Sequence, residues 1–387
     1  MNAHRVWAEV HLDALTHNLA AIRRRAGSGR ALWLTVKADA YGHGAVAIAH
    51  HALAHGVGAF GVGTSAEALE LREAGLCAPL LVLGTVIEAE VDACLQHGVE
   101  FGLHAADRLE RLAERARAVG RPARVHLNID TGMGRLGVLP ERALDLYAAI
   151  RSCPEVELAG TMTHVTSSAG ALDESTLAQL DTLENVLGAA REDGLEPGPV
   201  HVANSAGLFS DLCPLYDAVR PGLAAYGVLA APLASGEELR PVLSLRTQVV
   251  FLKDVPAGRP LGYGGSFTPK EQRRIATLPL GYADGLPLAL SNRGRVLVRG
   301  RSAPIVGQVT MDYTTVDVTE VPGVEVGDVV TVLGTDAAER IEMAELAALT
   351  GQPPHALSCA LGPRVARLYL GGASRPSPTP PCASPAP

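Results

Sequence analysis

Short apolar runs recur along the first part of the chain, and most of them end in a polar residue. They lie at 31–36 (ALWLTV), 59–63 (AFGVG), 80–84 (LLVLG), 99–103 (VEFGL, the weakest), 124–130 (RVHLNID), 158–164 (LAGTMTH), 200–204 (VHVAN) and 217–222 (DAVRPG). Between them, apolar positions return at helical spacing, as over Ala45–His55, Ala105–Val119 and Glu174–Glu192. Thr64 with Glu67 three residues on has the spacing of a capping box that starts one such helix. Strands alternating with helices predict a parallel sheet, and eight repeats predict a closed (β/α)8 barrel. An open doubly wound sheet is the alternative, but no GxGxxG follows the first strand.

From about Pro241 the rhythm changes. Runs at 244–252, 274–280, 295–298, 303–309, 314–318 and 329–333 are separated by Gly, Pro and Asp turns, with one helical segment over Ile341–Thr350. This predicts a β-rich second domain. The expected organisation is an α/β barrel over 1–240, its first strand a candidate to pack with the second domain, and a β domain over 241–373. The residues at 374–387 are Pro/Ser-rich, the composition of a disordered tail.

Polar residues fall in phase with the barrel strands. Lys37, Asp130, Arg135, His164, Asn204, Ser205 and Arg220 all lie at the C-terminal end of a run or in the loop just after it. That is the face on which such barrels build their sites. Singly, each reads as a cap or a satisfied core group, and Lys37 as a lysine whose stem covers a strand end. Seven in phase point to chemistry. A lysine at the lip of a buried strand is costly to desolvate unless it is paired or reactive.

Composition narrows the field. Of the 387 residues, 47% are hydrophobic and 19% charged, so a substantial core is available. The formal net charge is −8. The longest basic cluster, Arg23-Arg24-Arg25, shares a helical segment with Leu15, Leu19 and Ile22, which makes it a solvated face and nucleic acid a poor partner. Six scattered cysteines form no CxxC and no metal-binding spacing, so no metal is expected. No apolar run approaches the roughly 18–20 residues that span a bilayer, and the N-terminus is not a secretory signal, so a cytoplasmic protein is expected.

Eight motifs in register carry a more specific reading: VKADAYGHG (36–44), DTGMGRLG (130–137), the strand end at His164, HVANSA (201–206), RPG (220–222), LGYGGSF (261–267), GYADG (281–285) and GQVTMD (307–312). From Val6 to about Leu370 the chain resembles the alanine racemase family, enzymes that use pyridoxal 5'-phosphate (PLP) on a barrel joined to a C-terminal β domain. The resemblance implies that Lys37 holds the cofactor and acts as one catalytic base. An amine of unperturbed pKa about 10.4 would need burial and neighbouring cations to do so at neutral pH. Tyr41, Ser205 and the backbone at Gly222 and Leu223 would bind the phosphate, beside Asn204. Arg220 would face the ring nitrogen. Arginine does not give up its proton, so that nitrogen would stay neutral and the proton would return readily to the α carbon.

Racemisation needs acid-base groups on both faces of a planar carbanion, and the resemblance makes Tyr263 the second base. His164 with Arg220 behind it would give this phenol a cationic, hydrogen-bonded setting. Arg135 would steady the cofactor and the substrate carboxylate together with the amide of Met311. Tyr282 and Asp312 would line the entrance. Tyr263, Tyr282, Met311 and Asp312 would reach the site of a neighbouring subunit, which implies an obligate homodimer making D-alanine for peptidoglycan.

Three departures stand out. Asn128 occupies the position of a lysine that many relatives carbamylate, so a bound anion or direct amide hydrogen bonds would have to buttress Arg135. VTSSAG after His164, and Pro363 where some relatives carry a tyrosine, alter the substrate side. Ser167 and Ser168 there could admit serine. A racemase for serine or another amino acid, a PLP-dependent decarboxylase of a basic amino acid and a non-enzymatic PLP carrier are the alternatives. The paired Tyr263 and Tyr282 motifs speak against the second of these, and the second domain against the third.

Overall fold

The computed structural model describes residues 4–166, 173–228 and 238–372. The Pro/Ser-rich tail at 374–387, with Ser167 and Ser168, lies outside them.

The chain opens with β1 (Val6–His11) and α1 (Leu12–Ala26). The barrel then begins at β2 (Ala31–Thr35), followed by α2 (Lys37–Gly42) and α3 (Ala45–Ala54). It continues through β3 (Ala59–Val62), α4 (Ser65–Glu73), β4 (Leu80–Val82), α5 (Val91–Gln96) and β5 (Glu100–Leu103). Next come α6 (Ala106–Val119), β6 (Ala123–Asn128), α7 (Pro140–Arg151) and β7 (Val156–Met162). It closes with α8 (Glu174–Glu192), β8 (Val200–His201), α9 (Ser205–Leu208) and β9 (Ala218–Val219). β2 to β9 form one closed parallel barrel, as the eight runs predict.

Helices cover the outside, so the strands are buried on both faces and read as unbroken apolar runs. β3 and β4 are buried at every position. On α6, Leu109, Leu112, Ala113 and Ala116 form the inward stripe, and Gly120 ends the helix in a left-handed conformation. The Thr64 capping box is formed: its side chain accepts from the Glu67 N–H, and Glu67 reaches back. On α1, Leu15, Leu19 and Ile22 are buried beneath the arginine cluster.

The second domain contains β10 (Leu243–Gln248), β11 (Phe251–Val255), β12 (Arg273–Leu278), β13 (Arg295–Val298) and β14 (Arg301–Pro304). It is completed by β15 (Thr314–Asp317), β16 (Val329–Asp336), β17 (Glu339–Ile341), α10 (Met343–Thr350), α11 (Pro354–Cys359) and β18 (Ala366–Leu370). Its main sheet runs β14-β13-β16-β10-β1-β18, with β17 beside β16, and β11-β12-β15 form a second sheet. The apolar run at 244–252 therefore breaks at Val249-Val250 into strands of different sheets. β1 pairs antiparallel with β10 and parallel with β18, although its sequence neighbours belong to the barrel.

The domains meet over the barrel's C-terminal face. Arg367 donates from Nε to the Gly42 carbonyl at 3.1 Å. A Cβ on Gly42 would stand 2.0 Å from the Ser358 carbonyl oxygen, and one on Gly44 would stand 1.9 Å from the Tyr369 hydroxyl. Glycine is required at both because α11 and β18 press directly on this turn.

Candidate active site

Lys37 follows β2, and the next four residues hold an uncommon conformation. Ala38, Asp39, Ala40 and Tyr41 all have positive φ, between 51° and 54°, a left-handed turn built without glycine. Such a turn crowds each Cβ against the next carbonyl and needs external support. Glu67 Oε1 accepts the Ala38 N–H at 2.7 Å, while its Oε2 accepts that of Gly63 at 2.7 Å. Asp39 Oδ1 accepts the N–H of Ala45 at 2.7 Å, and the Asp39 carbonyl accepts that of Gly44. The His43 ring lies below, Nδ1 against the carbonyls of Ala40 and Tyr41. Its Nε2 is buried without a hydrogen-bond partner among the described residues, and burial pushes its pKa down to about 4. The turn aims Lys37 at the barrel mouth, with Nζ 5.9 Å from the Tyr41 ring centre.

A cavity of about 210 Å³ opens there. Lys37, Tyr41, Asp130, Arg135, His164, Asn204, Ser205, Arg220, Gly222 and Leu223 all line it, so the polar residues predicted from strand ends converge on one place. Burial lowers the pKa of Lys37, with the charge of Arg135 as the next cause. Burial pushes that of His164 down to about 3, aided by Arg220, Arg135 and Lys37. His164 is thus neutral at physiological pH. The positive charge here belongs to the two arginines and the lysine around it.

One side of the cavity is a set of donors. Ser205 Oγ accepts the N–H groups of Gly222 at 3.0 Å and Ala224 at 3.1 Å, which occupies both lone pairs and leaves its hydroxyl to donate. Burial raises the Tyr41 pKa, so its phenol also stays protonated. A Cβ on Gly222 would sit 2.8 Å from the Tyr41 oxygen, so the strand end must be glycine for the two to approach. Asn204 caps α9 by accepting the Gly207 N–H at 3.0 Å. Two hydroxyls able to donate, beside a buried arginine and a lysine of lowered basicity, fit an anionic, aldehyde-bearing cofactor such as PLP. Arg220 is 5% exposed and donates to the carbonyls of Thr163 at 2.7 Å and Val202 at 3.2 Å.

The second-domain residues stand apart from this cavity. Tyr263 is 72% exposed, in a short turn over Tyr263–Gly265, and Met311 and Tyr282 are also exposed. Asp312 pairs with Arg364 at 2.7 Å, and Arg364 also reaches the buried Asp284 at 3.1 Å. Within one chain, none of Tyr263, Tyr282, Met311 or Asp312 lines the cavity. Asn128 does line it, but its amide donates to the Leu136 carbonyl at 3.2 Å and faces His104 Nδ1 at 3.3 Å. It thereby holds the loop next to Arg135.

Sequence reasoning missed several contributors. Thr35, Leu83, Met133 and Thr163 form cavity walls, yet carry no charge that would single them out. His355 and Cys359 of α11 stand close enough for their charges and that of Lys37 to act on one another, and His355 meets the Tyr41 ring edge-on at 6.2 Å. Glu67 was visible only as a capping residue, and its second task at Ala38 has no local signature.

Residues 10–230 match the family described as alanine racemase, N-terminal domain, and 242–369 that described as alanine racemase, C-terminal domain. The alanine racemase of Geobacter sulfurreducens is 40% identical over 374 residues, 95% of this chain and 98% of its own. That of Methanococcus maripaludis is 36% identical over 376 residues, 96% of this chain and all of its own. Among solved structures, alanine racemase from the D-cycloserine producer Streptomyces lavendulae superposes with a TM-score of 0.90 at 34% identity, covering 96% of this chain and 99% of that one. Alanine racemase from Bartonella henselae with covalently bound pyridoxal phosphate gives 0.83 at 28%, covering 95% and 99%.

Proposed function

Because the chain belongs to the alanine racemase family, a family of isomerases, we propose that it interconverts L- and D-alanine with PLP, using Lys37 and Tyr263 of the partner subunit as opposed bases. The observation that carries this reading is the convergence of Lys37, Tyr41, Arg135, His164, Ser205 and Arg220 on one cavity at the barrel mouth. Lys37 holds the cofactor through its amine, and Tyr41, Ser205 and the backbone at Gly222 and Leu223 hold the phosphate. When bound, the cofactor supplies an electron sink that acidifies the α carbon. Lys37, its basicity lowered by burial and Arg135, takes or returns the α proton on one face. Arg135 steadies the substrate carboxylate.

The exposure of Tyr263, Tyr282 and Met311, together with their absence from the cavity of their own chain, supports a homodimer in which each subunit completes the other's site. Tyr263 then exchanges the proton on the opposite face, while Tyr282 and Asp312 line the entrance. The D-alanine so made would serve peptidoglycan.

Incubating protein and PLP with each L-amino acid in deuterated water tests both reaction and substrate. Deuterium at the α carbon together with the D-enantiomer is expected for alanine. Release of carbon dioxide would make the protein a decarboxylase. A Tyr263→Phe protein is expected to lose at least about 10²-fold in racemisation, and an unchanged rate would overturn the two-base assignment.

A further inference from the structure

Behind Arg220, a line of buried ionisable side chains crosses the barrel interior. Arg220 Nη1 meets His201 Nδ1 at 2.7 Å, His201 Nε2 meets His126 Nδ1 at 2.7 Å, and His126 Nε2 meets Glu100 Oε2 at 2.8 Å. Glu100 is 2% exposed, and His126 and His201 are each 1% exposed. They come from β5, β6 and β8, and Trp33 of β2 lies against both rings. It stacks on His201 at 5.6 Å and meets His126 edge-on at 5.2 Å. A Cβ on Gly160 would stand 2.9 Å from His126 Nδ1, so β7 needs glycine where it passes the ring. At the far end Arg124 pairs with Glu100 Oε1 at 3.1 Å.

Only one arrangement of protons satisfies this line. Arginine has donors and no acceptor, so His201 must present a lone pair at Nδ1 and carry its proton on Nε2. That proton is donated to His126 Nδ1, which must also be a lone pair, so His126 carries its proton on Nε2 and gives it to Glu100. Every donor points away from the cavity, with a cation at one end and a carboxylate at the other. Burial, with Arg220 and His126 as further causes, disfavours a charged His201, in keeping with this order. Arg220 cannot turn without breaking the whole line.

The geometry points to Glu100 as a remote positioning residue that serves, through His126 and His201, as the counter-ion of Arg220 and fixes the guanidinium plane at the cavity. That the plane matters for racemisation rests on the proposed function; the line itself does not. Other titratable or charged groups near its ends are Arg124 and Arg72 beside Glu100, and Cys213 and His164 beside Arg220.

The test uses the full-length protein without cofactor, labelled with 15N-histidine and 13C-arginine. In the wild type, both His126 and His201 are expected as the neutral Nε2–H tautomer at pH 8. Glu100→Gln is expected to move the His201 ring resonances, two links away. It should also move the Arg220 guanidinium resonances, since a unit charge on the order of 10 Å away at an effective dielectric constant near 20 is withdrawn. With PLP and alanine, kcat should fall while KM stays near its wild-type value. A wild-type His126 or His201 that is cationic or carries its proton on Nδ1 overturns the proposal, whether or not Glu100→Gln folds. So does a folded Glu100→Gln protein with unmoved His201 and Arg220 signals. These readouts need no racemase activity, so failure of the proposed function would leave them standing.

Discussion

Replacing Ala38 with glycine separates two demands that the left-handed turn places on the chain. Ala38 has φ 51° and an exposed side chain, so removing its methyl group gives up little burial. A left-handed conformation costs an L-residue roughly 1–2 kcal/mol that glycine does not bear, while the freer unfolded glycine takes back roughly 0.4–1 kcal/mol. The variant should therefore be more stable by roughly 0.5–1 kcal/mol. Its Ala38→Val counterpart, β-branched at the same φ, should be less stable than the wild type. Urea midpoints of the three proteins check the order. The same change frees the backbone next to Lys37, so kcat for alanine should fall roughly tenfold in the glycine variant, as small misplacements of a reacting group do. A glycine variant that is less stable, or one that is more stable and fully active, would refute the claim that strain in this turn is retained to aim Lys37.

Glu67→Gln leaves one amide oxygen to accept where Ala38, Gly63 and Thr64 all donate, and should cost roughly 1–3 kcal/mol in urea unfolding. It also removes a negative charge that raises the basicity of Lys37, so the acid limb of the kcat profile should move to lower pH. An unfolded His43 takes up a proton near pH 6.5 whereas the folded one waits until about 4, so stability falls as pH drops through this window. The loss from pH 8 to 5 is roughly 2 kcal/mol, and His43→Asn, which keeps an N–H donor, should flatten that part of the stability profile. Gly42→Ala, at φ 84° with its Cβ 2.0 Å from Ser358 O, should lose roughly 3 kcal/mol or more, whereas Gly29→Ala, with open space around it, should be neutral by the same measurement.

Periodicity exposed the barrel because a strand buried on both faces must be apolar throughout, and eight such runs allow few other folds. The cavity was legible for a related reason: charged residues at strand ends interrupt the apolar rhythm and declare themselves. Turn geometry was not legible, since Ala38-Asp39-Ala40-Tyr41 carries no glycine to signal positive φ. The line behind Arg220 stayed hidden because Glu100, His126 and His201 sit inside runs, where a lone polar residue reads as an ordinary interruption. For His164, sequence shows that cations are near, not that burial among them disfavours a charged imidazole. Val249-Val250 look like the middle of a strand, and only the competition between two sheets for the chain makes them a corner.

The place of β1 bears on the order in which the molecule can be made. It precedes the barrel in the chain, yet its hydrogen-bonding edges are met by β10 and by β18, the last strand among the described residues. While the barrel emerges from the ribosome and closes on its own eight strands, β1 waits with both edges open. It gains one partner when Leu243–Gln248 appears and the second only when Ala366–Leu370 is released. That strand also carries Arg367 and Tyr369 onto the turn after Lys37. A chain lacking them can thus form a barrel, but it leaves a strand edge exposed and the turn after Lys37 without its cover, so completion of the site waits on the last described strand.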